Sequence, residues 1–167
     1  MVRHTIKGEV RVKKNTRREF GFSLIELLIV IAIILIILAV AMPKLSKSRM
    51  YAQEMAAIQA IHAIHQAETM YYSQFGKYAA SLAELGPPTT GGASGPGAAD
   101  LIQEDLATGE KQGYKFTITV SPGGYTINAN PIAFGTNGSR TFWSDQSMTI
   151  RQNFTAEPAS ATSQMFK

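Results

Sequence analysis

His62, His65 and Glu68 stand at intervals of three in "IHAIHQAE". Imidazole nitrogens and a carboxylate at helical spacing are metal-ligand chemistry. His62 falls on a helical face with Gln59 and Gln66, however, and no further ligands accompany the set, so a polar helix face is expected. Calcium chemistry is raised by Asp145 and by the cluster Glu104, Asp105 and Glu110. Calcium takes about six to eight oxygen ligands, and one carboxylate near Asp145 falls well short. No metal or other cofactor is therefore predicted. No Ser–His–Asp set, phosphate loop or carboxylate pair has supporting context, so no catalytic residue is assigned and an enzyme is not expected. The aromatics Phe22, Tyr51, Tyr71, Tyr72, Phe75 and Tyr78 suggest electron conduction, but packing explains them more simply. One further carboxylate, Glu26, lies near the start of the apolar stretch "FSLIELLIVIAIILIILAVAM". There a charge costs about 2.5–3.5 kcal/mol on insertion scales at mid-bilayer, so something must compensate it.

The element carrying Glu26 is long. Leu27 to Met42 are sixteen residues without a polar side chain, and Phe22 to Met42 are twenty-one, interrupted by Ser23 and Glu26 alone. At about 1.5 Å per residue such a helix crosses a hydrocarbon core. The chain has 167 residues and a formal net charge of +4. Residues 1–21 carry seven Lys/Arg against Glu9 and Glu19, net +5, and the remainder is net −1. The basic excess precedes the apolar run, which predicts a cytoplasmic N-terminus, and no nucleic-acid surface is expected on the folded domain. Without cysteine, neither a disulfide nor thiolate chemistry is available. A secretory signal has a shorter apolar region followed by a small-residue cleavage site. Here the small residue, Gly21, stands before the run, and Pro43, Lys44 and Lys47 follow it.

Gly21, Phe22, Ser23, Leu24, Ile25, Glu26 and Leu27, followed by the apolar helix, closely resemble the prepilin signature of type IV pilins and type II secretion pseudopilins. The resemblance is strong over residues 17–45 and looser to about Leu85. It implies that a prepilin peptidase cuts between Gly21 and Phe22 on the cytoplasmic side and methylates the new Phe22 amine. It implies that Glu26 is needed for assembly, its carboxylate lying near the Phe22 amine of a neighbouring subunit. Its further implied partners are copies of the chain and other pilins, an inner-membrane assembly platform with its ATPase, and lipid before assembly. The subunit would span the inner membrane once and then enter a surface pilus or a periplasmic pseudopilus. A type IV pilus subunit is favoured over a secretion pseudopilin. The alternative from another class is an uncut single-span protein with an extracytoplasmic binding domain.

The predicted fold class is α+β, a long N-terminal helix packed on a small antiparallel sheet. The expected divisions are a leader at 1–21, an apolar assembly helix at 22–45 and a head at 46–167. Residues 44–75 lack Gly and Pro, with Ile58, Ile61, Ile64, Tyr71, Tyr72 and Phe75 on one face and Gln59, His62, Gln66 and Ser73 on another. Pro43 interrupts the backbone bonding and predicts a kink. Gly76 ends the helix, and a loop region is expected over 76–112, with a short helix in 77–86 and a flexible connector over 87–97. The sheet is expected over 113–153. In it Tyr114, Phe116, Ile118 and Val120 alternate in "GYKFTITV", "SPGG" turns, and Tyr125, Ile127 and Ala129 return. Two more strands are expected about a turn at Ser144–Gln146. Residues 154–167 read as a loosely held tail.

Overall fold

The computed structural model describes residues 21–88 and 92–167. The expected leader, apart from Gly21, and residues 89–91 of the expected connector lie outside the described residues. The chain divides into two compact units, Met1–Val40 and Ala41–Lys167. Helix α1, Leu24–Phe75, is the regular structure among the described residues of the first and the opening element of the second. From Leu24 to Leu38 its large apolar side chains are exposed to the surroundings. This is the one helix, among the described residues, long and apolar enough to cross a membrane.

In the second unit α1 continues through Pro43. Proline has no N–H to donate into the helical ladder. One turn on, the Ser46 hydroxyl donates to the Met42 carbonyl at 3.2 Å. The helix buries Ile58, Ile61, Ile64, Ala67 and Tyr71, while Gln59, His62, Gln66 and Ser73 face outward, as their spacing predicts. Tyr72 differs: it is exposed, beside Tyr78. Gly76 closes the helix at φ +69°, its N–H on the Tyr72 carbonyl at 2.8 Å, the left-handed cap that favours glycine.

The region expected as loop carries more order than its composition suggests. It holds α2 (Leu82–Leu85), α3 (Glu104–Ala107) and β1 (Glu110–Lys111). Backbone bonds from Ala99 to Glu84 and from Leu101 to Leu85 tie its two arms together. Strands β2 (Tyr114–Ser121), β3 (Gly124–Pro131), β4 (Thr141–Asp145), β5 (Arg151–Asn153) and β6 (Gln164–Met165) complete a six-stranded antiparallel meander in sequence order. The hairpin pairs Phe116 with Ala129 and Ile118 with Ile127. Its inward face is shorter than the alternation predicts. Tyr114 and Phe116 are buried, but Val120 is exposed toward the free end of the hairpin. The β4–β5 turn falls later than expected, around Asp145–Met148, where Asp145 caps it by accepting from the Ser147 amide at 3.0 Å.

The expected loose tail is in fact tied to the sheet. Met165 pairs with Arg151, the Phe166 amide donates to the Ile150 carbonyl at 2.9 Å, and the Asn128 side chain holds the Ala159 carbonyl at 3.0 Å. Phe166 also packs against the core, whose other members include Leu82, Leu85, Leu106, Ile127, Phe142 and Ile150. Polar composition hides this anchoring, because it rests on one aromatic and on backbone bonds that any residue can make.

Candidate processing and assembly site

The motif residues lie at the first turn of α1. Gly21 and Phe22 precede it outside regular structure, and Phe22 is 88% exposed. A Cβ on Gly21 would meet nothing within 4 Å, so no packing among the described residues demands a glycine there. Ser23 is the residue before the helix, and its carbonyl accepts the first helical bond, from Leu27 at 3.2 Å. Glu26, at the third helical position, turns back and accepts from the Ser23 amide at 2.9 Å. That contact is half of a capping box, in which Ser-x-x-Glu satisfies donors that the helix start leaves bare. Its carboxylate also complements the positive end of the helix dipole. The capping signal was legible in "SLIE" and is additional to the assembly role read from the resemblance.

Residues 16–42 match a family model described as the prokaryotic N-terminal methylation motif. The type IV major pilin protein PilA of Myxococcus xanthus (strain DK1622) is 33% identical over 77 residues. The N-terminal part of the chain thus carries this methylation motif and is similar to a type IV pilin. The match with this pilin covers 46% of the chain and spans 35% of the relative's length. No solved structure matches significantly. Gly21, Phe22 and Glu26 all fall within the matched motif, and Pro43 lies one residue beyond it.

The head buries three ionisable side chains, Glu54, His65 and Glu68, on the helix face expected to be apolar. Glu54 is clasped from across the fold. Its Oε1 accepts from the Ser139 amide (2.7 Å) and hydroxyl (2.8 Å), and its Oε2 from Arg140 Nε (2.9 Å) and Nη2 (2.6 Å). Burial alone would raise the Glu54 pKa, but the Arg140 and Ser139 bonds outweigh it and hold the carboxyl below its ordinary value. Arg140 also donates to Gln152 at 3.0 Å and lies over the Phe142 and Phe166 rings.

His65, unlike His62, is buried. Ser144 gives its hydrogen to the Thr149 carbonyl at 3.1 Å, so its oxygen accepts from His65 Nε2–H at 2.8 Å. That leaves Nδ1 to accept from the Tyr125 hydroxyl at 2.6 Å. Burial, helped by neighbouring His62, pushes the His65 pKa down to about 4. The ring is neutral, and both its nitrogens are engaged. Glu68 is also buried, accepting from the Ala79 amide at 3.0 Å on one oxygen, with no hydrogen-bond partner on the other among the described residues. Burial is the main cause that raises its pKa to about 7.

His62, His65 and Glu68 therefore part company: His62 faces out, while the other two turn into the core. Among the described residues, no group of three His, Asp or Glu side chains is placed to hold a metal. Asp105 pairs with Lys111 at 3.0 Å, and Asp145 caps its turn. Spacing could have found the buried set. Glu54, Ile58, Ile61, His65 and Glu68 follow one another by four, three, four and three, so the polar residues occupy the same seam as the isoleucines.

Proposed function

We propose that the chain is a structural subunit of a type IV pilus, made as a single-pass membrane precursor and polymerised into a helical filament. The match of residues 16–42 to the methylation motif carries this reading. Similarity to a protein named as a type IV major pilin favours a pilus over a secretion pseudopilus. In the proposed sequence of events the N-terminus is cytoplasmic and the head extracytoplasmic. A prepilin peptidase hydrolyses the Gly21–Phe22 bond, freeing the Phe22 α-amine, which is then methylated. An inner-membrane platform and its ATPase draw the subunit into the filament, with copies of the chain and other pilins as neighbours.

The chemistry of the residues supports each role. Gly21 is bare and exposed, as a scissile junction must be for an enzyme to reach its backbone. Transfer of the apolar run from lipid to an equally apolar filament core yields little net energy, so packing and specific polar contacts must set the register. The Phe22 amine and the Glu26 carboxylate of a neighbour would provide one such contact, since a paired charge in an apolar interior is less costly than either charge alone. Pro43 would give α1 a place to bend or loosen as subunits pack.

Glu26→Ala separates processing from assembly. The variant should still yield a subunit beginning at methylated Phe22 by mass spectrometry. Its yield of sheared filament, relative to processed subunit in the membrane, should drop at least tenfold, because breaking a buried pair costs roughly 3–5 kcal/mol. Filament yield equal to the parent's would remove the pairing role. An intact N-terminus in the parent itself would remove the processing scheme.

A further inference from the structure

The head end at which the apolar run finishes carries a second feature. No acidic residue occurs between Glu26 and Glu54, while Lys44, Lys47 and Arg49 fall within six residues, all exposed. Among the described residues the ion pairs are Lys111–Asp105 and Arg140–Glu54, and neither uses these three cations. The acid next along the helix, Glu54, is already satisfied by Arg140 and Ser139.

Beside Lys47 lies the β3–β4 connection, Ile132–Arg140. Ser46, Lys47 and Met50 line one cleft with its Gly135 and Thr136. The connection is firmly bonded. The Gly135 amide donates to the Gly138 carbonyl at 2.8 Å, and the Ala133 amide to the Asn137 side chain at 3.2 Å. The Ile132 amide meets the Gly113 carbonyl at 2.9 Å, and Gly138 sits so close to the Tyr114 hydroxyl that a Cβ there would overlap it. The far end is locked by the Glu54 clasp on Ser139 and Arg140. On this braced loop Ile132 is 57% and Phe134 41% exposed, and the segment from Ile132 to Ser139 carries no charge. The head thus carries an exposed aliphatic and an exposed aromatic side chain on a loop beside Lys47, in a stretch whose three cations form no ion pair among the described residues and which starts two residues beyond the end of the apolar run at Met42. That combination suits the boundary between acyl chains and headgroups, where aromatic rings settle and long basic side chains reach phosphate.

We propose that this end of the head is a membrane foot. In the unassembled subunit the β3–β4 loop rests on the outer face of the bilayer, with Ile132 and Phe134 at the acyl boundary and Lys44, Lys47 and Arg49 on anionic phospholipid headgroups. The foot holds the head against the membrane until the subunit is extracted. It rests on the membrane-anchored reading above, and its test separates the two.

The chain has no cysteine, so single substitutions give unique labels. Full-length protein carrying Phe134→Cys, Ile34→Cys or Ser121→Cys, each with a polarity-sensitive fluorophore, is placed in vesicles of phosphatidylcholine alone or mixed with phosphatidylglycerol. Quenching by lipids brominated on their acyl chains is then measured. Ser121 lies at the opposite end of β2 from the braced loop and serves as the reference. The label at 34 should be quenched in both vesicles. The label at 134 should be quenched about threefold more than that at 121 in phosphatidylglycerol-containing vesicles, since each basic residue adds attraction to an anionic surface. Joint substitution Lys44→Gln, Lys47→Gln and Arg49→Gln should return it to the level at 121. Quenching at 34 with none at 134 overturns the foot and leaves the anchor standing, whereas no quenching at 34 overturns both. Equal quenching at 134 without phosphatidylglycerol, or in the triple variant, overturns the headgroup contact. A signal at 134 that appears only at high protein-to-lipid ratio assigns the loop to a neighbouring copy and overturns the foot.

Discussion

Breaking the Glu54–Arg140 clasp is the sharpest perturbation the head offers. Glu54→Ala removes four accepted hydrogen bonds, two from each of Ser139 and Arg140, and leaves a guanidinium whose side chain is 14% exposed. Stranding one member of a buried pair costs about 3–5 kcal/mol. Arg140 keeps its Gln152 bond and its place over two aromatic rings, which sets the expected loss at the low end, about 3 kcal/mol. The chain's single tryptophan, Trp143, lies in β4 two residues past the paired Thr141 and reports unfolding of the sheet. In urea titrations of the full chain in detergent, with a slope of about 1.5 kcal/mol/M, the midpoint should fall by about 2 M. The joint replacement Glu54→Met and Arg140→Met should recover most of the loss, because neither charge is then buried alone. Acid should narrow the difference between parent and Glu54→Ala. The folded carboxyl titrates below the unfolded value of 4.5, so its stabilisation is present above that value and vanishes as pH falls through the folded one. A loss below about 1 kcal/mol at neutral pH, or one that persists unchanged in acid, would refute the clasp as an ionised buried pair.

Three further outcomes follow from the same geometry. The His65 ring takes a proton more readily unfolded than folded, so it should make stability rise with pH between about 4 and its ordinary 6.5, by up to about 3 kcal/mol, and His65→Gln should flatten that slope. Glu68, raised to about 7, acts in the opposite sense: its contribution is full below 4.5 and fades as pH climbs through 7, so Glu68→Gln should gain on the parent at alkaline pH in thermal melts. Gly21→Leu should leave the precursor unprocessed on gels while the full chain melts as the parent does, because a Cβ there meets nothing in the described structure; conversion at the parental rate would misplace the cut.

Sequence carried the long helix and the β2–β3 hairpin well. Each is announced by a period that local chemistry imposes, apolar recurrence without glycine in α1 and strict alternation in "YKFTITV". It carried β1 and β6 poorly, because two-residue strands have no period and exist only through their neighbours. The polar residues of α1 show the same limit more clearly. The histidine of "AIHQAE" looks solvated because its partners, Tyr125 and Ser144, lie sixty and seventy-nine positions away. Glu54 looks like an ordinary surface acid until Arg140 arrives from eighty-six positions on. These distant partners also account for what the polar residues do. A seam of isoleucine and alanine alone would pack nearly as well after sliding a heptad along the sheet, since apolar contact is not directional. Glu54 admits only the position that brings it to Ser139 and Arg140, and His65 only the one that brings it between Tyr125 and Ser144. Apolar burial supplies the attraction between helix and sheet, and the two buried polar residues, eleven positions apart, choose the register.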